Sequence, residues 1–147
     1  MPKQVIAPEK LVAQAYAIAS RDGISALSVR KVAAACGIAV GSVYGYFPTK
    51  ADLTAAVLTR FFDENLSDKL CAVRPGERFT SYVRRFREAL CAARADMSVD
   101  WFAEMRRLPS GEQEALEAVR APMLAHMERG LARVLDADEA VERSRLV

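Results

Sequence analysis

The stretch Ser28–Leu53, SVRKVAAACGIAVGSVYGYFPTKADL, decides the fold. Val29, Val32, Ala33 and Cys36 recur at i, i+3, i+4 and i+7, the spacing of one apolar face on a helix of about two turns. Ser28 stands before the first of them as an N-cap, and Gly37 after the last as a left-handed C-terminal stop. Ile38 supplies an apolar residue in the turn. A second short helix over 40–47 then points Val43 and Phe47 back at the first and leaves Gly41, Ser42, Tyr44 and Tyr46 on its other side. Pro48-Thr49-Lys50-Ala51-Asp52-Leu53 follows, with Thr49 and Asp52 spaced as a capping box that opens a third helix. Two short helices about a tight glycine turn are the layout of a helix-turn-helix, which lays its second helix in the major groove of DNA.

Upstream, Pro8 suits a first helical position, and Leu11, Val12, Ala15, Tyr16, Ile18 and Ala19 form a stripe ending near Gly23. Ile24 and Leu27 are apolar enough to close a small core between this supporting helix and the next. Residues 1–50 carry six Lys and Arg against two acids, a net +4; the chain as a whole is +2, leaving −2 for 51–147. The basic charge is thus concentrated in the part of the chain that holds the helix-turn-helix, which supports a DNA-facing role for it. The total is modest, which favours specific binding by a dimer over a broad polyelectrolyte grip.

With these residues in view, the run from about Lys10 to Leu53 closely resembles the N-terminal domain of tetracycline-repressor-like (TetR family) transcriptional regulators. Within Gly37–Phe47, eight of the nine specified positions of the family's pattern G-[VI]-S-x-G-[ST]-[LIV]-Y-x-[HY]-F match, and Lys50 follows where the family has a lysine. The resemblance implies an all-α protein: a helix-turn-helix domain over 1–53, joined by a connecting helix to a helical ligand-binding and dimerisation bundle over 54–147. It implies that Ser28 and Lys31 meet phosphates and that Arg30 meets a phosphate or base edge. Val40, Gly41 and Ser42 would begin the helix in the major groove, while Tyr44, Tyr46 and Lys50 would meet the phosphate backbone. For Tyr44 a half-buried packing role competes. Two positions depart from the pattern. Ala39 replaces the usual Ser at the N-cap of the recognition helix, and Gly45 removes a side chain that often faces DNA, so base readout is expected to be thin.

The remainder is helical by pattern, with 52% apolar residues and only 7 Gly and 6 Pro. Leu53, Val57, Leu58, Phe61, Phe62 and Leu66 give the connecting helix a broad apolar face to about Leu70. After Arg74-Pro75-Gly76, a long stripe runs through Phe79, Tyr82, Val83, Phe86, Ala89, Leu90 and Ala93. A shorter helix carries Trp101, Phe102, Met105 and Leu108. Ser110 and Gln113 are spaced as a capping box for a last helix to about Leu135, which Pro122 is expected to kink or restart. Tyr82, Phe86, Trp101, Phe102, Met105, Met123, His126 and Met127 are the candidates for lining an effector pocket, since aromatic and Met side chains fill irregular cavities; plain core packing is the competing role for each.

Family members commonly run longer and close with two paired helices, of which Asp136–Val147 resembles only the beginning. No run of about 18 apolar residues and no signal peptide is visible, so a cytoplasmic protein without a membrane partner is expected. Three widely separated cysteines, Cys36, Cys71 and Cys91, match free thiols in a reducing compartment. The lone His126 has no Cys or His at metal spacing, and no acid-base pair or activated nucleophile stands out, so neither a cofactor nor an enzyme is expected. The expected protein is a homodimeric repressor that binds a DNA operator and is released by a small-molecule effector. The alternatives are a shortened member acting as an interaction or mixed-dimer module, and a thiol sensor using Cys71 or Cys91.

Overall fold

The computed structural model describes residues 6–67, 72–95 and 97–141, with 66 and 67 described by their backbone. Among these residues all regular structure is helical: α1 Pro8–Asp22, α2 Val29–Cys36, α3 Val40–Tyr44, α4 Lys50–Phe62 continuing into a π-helical turn Asp63–Ser67, α5 Phe79–Ala95, α6 Trp101–Met105 and α7 Ser110–Ala137. Two compact units result, one from the described residues of Met1–Phe61 with Met97–Val119, the other from those of Phe62–Asp96 with Arg120–Val147. Division by packing therefore falls elsewhere than residue 53. Most of α4, all of α6 and the start of α7 belong with the helix-turn-helix.

The first unit has a continuous apolar core. Its buried side chains are Leu11, Ala15, Ile18 and Ala19 of α1, Ile24 and Leu27 of the connection, Val32 and Ala33 of α2, Val43 of α3 and Leu53, Val57 and Leu58 of α4. Trp101 of α6 completes it. Its ring lies 5.6 Å from that of Tyr16, edge-on, and 5.3 Å from that of Phe61, and its indole Nε1 donates to the Ala19 carbonyl at 3.0 Å. The same carbonyl accepts the Gly23 N–H that closes α1 (2.8 Å), so both of its lone pairs are used. Gly23 has φ +95, and a Cβ there would lie 2.6 Å from the Glu104 carboxylate, so both backbone and space require glycine.

In the second unit, Arg85 of α5 makes a two-pronged pair with Glu77 (3.0 and 2.8 Å), donates to the Ala72 carbonyl at 2.9 Å and lies 5.1 Å over the Tyr82 ring. Asp138 accepts from the N–H of Phe79 (2.8 Å), the first residue of α5, and of Ala140 (3.0 Å), stapling the start of α5 to the chain just past α7.

Several expectations need correction. The recognition helix ends at Tyr44, short of Phe47, because an uncapped start and Gly45 both weaken it. Helix α4 ends at Phe62 and passes into a π-helical turn; Leu70 and the Leu66 side chain lie outside the described residues. Helix α7 does not restart at Pro122, which lies exposed inside it and lacks only its own N–H. The Gln113 carboxamide donates to the Leu108 carbonyl at 2.7 Å, tying α7 to the preceding turn. The long α5 stripe buries only Tyr82 and Ala93, with Phe86, Ala89 and Leu90 half-buried and Val83 exposed.

Trp101→Ala is expected to destabilise the first unit by about 3–5 kcal/mol, and Trp101→Phe, which removes only the indole donor and part of the ring, by less; urea titrations followed by circular dichroism will rank them. The N–H groups of Phe79 and Ala140 hold the Asp138 carboxyl below the usual carboxylate range. Its stabilising contribution is therefore full above the unfolded-state value of about 3.9 and is lost as pH falls through the lower folded value. Asp138→Asn should melt earlier than the parent protein at pH 7, with the gap closing below about pH 4.

Candidate nucleic-acid interface

Helix α2 begins as its sequence dictates. Ser28 has extended backbone, and its Oγ accepts the Lys31 N–H at 3.2 Å, capping the helix. Gly37 ends the helix at φ +65, where its N–H reaches Ala34 and the Ile38 N–H reaches Ala33, a Schellman closure. The turn carries the chain into α3, anchored by the fully buried Val43. Ala39 has the extended backbone of an N-cap but makes no side-chain cap. Past Tyr44, the N–H groups of Tyr46 and Phe47 both converge on the Val43 carbonyl, holding one further turn.

This local geometry leaves an exposed face. Tyr44 is 49% and Tyr46 40% exposed, so each presents about half of its surface to solvent. Arg30, Lys31 and Gly41 are exposed; Ser28, Val40 and Ser42 are half-buried. A Cβ added to Gly41 would meet nothing within 4 Å, so no intramolecular packing requires glycine there. The capping box at α4 is complete, with Thr49 N–H to Asp52 at 2.9 Å and Asp52 N–H to Thr49 Oγ1 at 3.1 Å.

Lys50, expected at a phosphate, is engaged within the protein. Its Nζ lies 3.3 Å from Oε1 of Glu112, a carboxylate only 9% exposed, whose Oε2 accepts from the buried Thr54 hydroxyl at 3.1 Å. Sequence reasoning missed Glu112 and Thr54, and also Glu104, which accepts from the Ile24 N–H at 2.6 Å and from the Ser25 hydroxyl. Those partners lie 58 to 80 positions apart in the chain, so no local spacing signals them.

The eight pocket candidates are not brought into one set within either unit. Trp101 and Met105 are buried, and Phe102 half-buried, in the first unit. Tyr82 is buried in the second, where Phe86, Met123 and Met127 are half-buried and His126 is exposed. Two open grooves, one lined by Lys10, Gln14, Ala35 and Cys36 among others and one by Glu77, Arg78 and Asp138, contain none of them. Burial pushes the Cys36 thiol up, away from a reactive thiolate; Cys91 is exposed, and Cys71 lies outside the described residues. Among the described residues no group of three or more His, Cys, Asp or Glu is placed to hold a metal, and no helix is long and apolar enough to cross a membrane.

Residues 11–57 match the family model described as bacterial regulatory proteins, tetR family. The chain is 38% identical over 55 residues to the HTH-type transcriptional repressor KstR of Mycolicibacterium smegmatis, and 36% identical over 55 residues to that of Rhodococcus jostii. Each match covers 37% of this chain and about a quarter of the relative, 27% and 26%. The fold is also similar to the crystal structure of a transcriptional regulator from Rhodococcus sp. Rha1. That likeness has a TM-score of 0.50 at 21% identity and covers 89% of this chain and 97% of the other.

The missing cap sets a measurable reserve. Ala39→Ser should stabilise the first unit by about 1 kcal/mol, seen as a higher thermal midpoint, because the backbone there already has N-cap geometry.

Proposed function

With an N-terminal domain that belongs to the tetR family of bacterial regulatory proteins, this chain is, we propose, a sequence-specific DNA-binding transcriptional repressor. The observation that carries this reading is the exposed surface of α3 and the turn after it: Tyr44, Tyr46 and an unobstructed Gly41, held in place by the buried Val43 and preceded in the chain by Ser28 before α2 and by Arg30 and Lys31 in it. Hydroxyls and cations position a protein on phosphates, and a glycine without a packing role lets the helix backbone approach the groove floor. The relatives matched over this domain are themselves named as transcriptional repressors, which supports the same sign of regulation.

The proposal includes a homodimer on a near-palindromic operator, whose two recognition helices would meet half-sites about one helical turn, roughly 34–36 Å, apart. In this reading residues 1–53 carry the DNA-facing surface, and 54–147 carry effector binding and dimerisation. Release by a small-molecule effector requires a ligand that favours the state with the wrong spacing. Helix α6 is the natural point of entry, because Trp101 and Glu104 hold the end of α1 and the turn that leads into α2. A cytoplasmic location accords with this role.

Duplexes enriched from a randomised pool by the purified protein supply an operator for the test. Tyr44→Phe and Gly41→Ala are each expected to weaken operator binding about tenfold at moderate salt. Gly41→Ala should at the same time raise the thermal midpoint, since alanine is the better helix former by about 1 kcal/mol. Unchanged affinity in both variants, or no enrichment at all, overturns this docking.

A further inference from the structure

Lys50 opens α4 six residues after α3 ends at Tyr44, where a cation would meet a phosphate, yet its ammonium lies 3.3 Å from Glu112, although the side chain remains 39% exposed. The Glu112 carboxylate is almost wholly removed from water and has two partners in the structure, the Thr54 hydroxyl at 3.1 Å and Lys50 Nζ at 3.3 Å. A buried carboxylate stripped of its cation is strongly disfavoured, so Lys50 stays with Glu112 while the first turn of α7 stays in place. A phosphate approaching the start of α4 then meets a neutral pair rather than a positive charge.

We infer that Glu112 is an internal stand-in for a DNA phosphate: it withholds the charge of Lys50 from nucleic acid and so holds DNA affinity below what the α4 terminus could supply. The inference rests on the DNA-binding reading above. It makes Glu112, a residue of α7 remote in sequence from the helix-turn-helix, a positioning residue for the DNA interface. Whatever moves the first turn of α7 away from α4 changes the number of cations the DNA meets.

The test is the salt dependence of binding to a labelled mixed-sequence duplex, because phosphate contacts are independent of sequence and each adds about 0.9 to the slope of log K against log salt. Glu112→Gln keeps the shape and an acceptor for Thr54 while removing the charge. It should steepen the slope by about 0.9 for each subunit that meets the duplex, which makes binding about eightfold tighter per subunit at 0.1 M salt if the curves converge near 1 M. The double variant Lys50→Met/Glu112→Gln should return to the parent slope. An unchanged slope or weaker binding in Glu112→Gln overturns the inference and leaves the DNA reading standing. Should Glu112→Gln fail to fold, the double variant, which strands no buried charge, decides: the parent slope supports the inference, and a slope shallower by about 0.9 per subunit overturns it. Absence of duplex binding by the parent protein at low salt overturns both.

Discussion

The indole of Trp101 is the contact on which the first unit depends. Three short helices and the start of a fourth enclose little apolar volume, and a domain that small buries too small a fraction of its surface to be robust. Trp101 arrives from 40 residues beyond Phe61, fills the gap between Tyr16 and Phe61, and spends its one polar atom on a carbonyl of α1. Because the ring and its hydrogen bond both fall on α1, the core is closed and the register of α6 against α1 is set by the same side chain. The surface that α2 and α3 present is therefore supported by residues far outside the helix-turn-helix itself.

Carboxylates from the same returning segment then determine what the polar side can do. Glu104 takes up the backbone of the turn after α1, so the approach to α2 is pinned by a charged acceptor rather than by packing alone. Glu112 takes up Lys50. The +4 carried by residues 1–50 thus overstates the positive charge that a nucleic acid would meet, because Lys50 is paired with Glu112, an acid from outside that stretch. Arg30 and Lys31, at the start of α2, are the cations that lie exposed beside Ser28. Charge summed along a sequence is not charge presented at a surface, since neutralising partners can come from any distance along the chain.

The recognition helix shows the complementary economy of a local element. Helix α3 has five residues, an uncapped first turn and a glycine at its end, and isolated in water it would not persist. It is held from outside, by Val43 in the core and by the capping box that starts α4 immediately after it. An element supported in this way can be sparing in its own side chains, which is why Gly41 and Gly45 are tolerated where a longer, free-standing helix would be damaged by them.

The sequence by itself determined the local elements of this protein. The cap at Ser28, the Schellman turn at Gly37, the capping box at Thr49 and the apolar rows of α1, α2 and α4 each arise within a few residues, where hydrogen-bond partners and side-chain spacing are dictated by the helix period. So was the partial exposure of Tyr44, which the same period turns away from Val43. Only the tertiary structure decided that 97–119 packs with the helix-turn-helix, that Trp101 is a core anchor, and that Lys50 pairs with Glu112. The reason is physical: a periodic pattern states which face of a helix seeks burial, but any apolar face satisfies any other. The partner is settled by shape, and by where a buried carboxylate can find a cation.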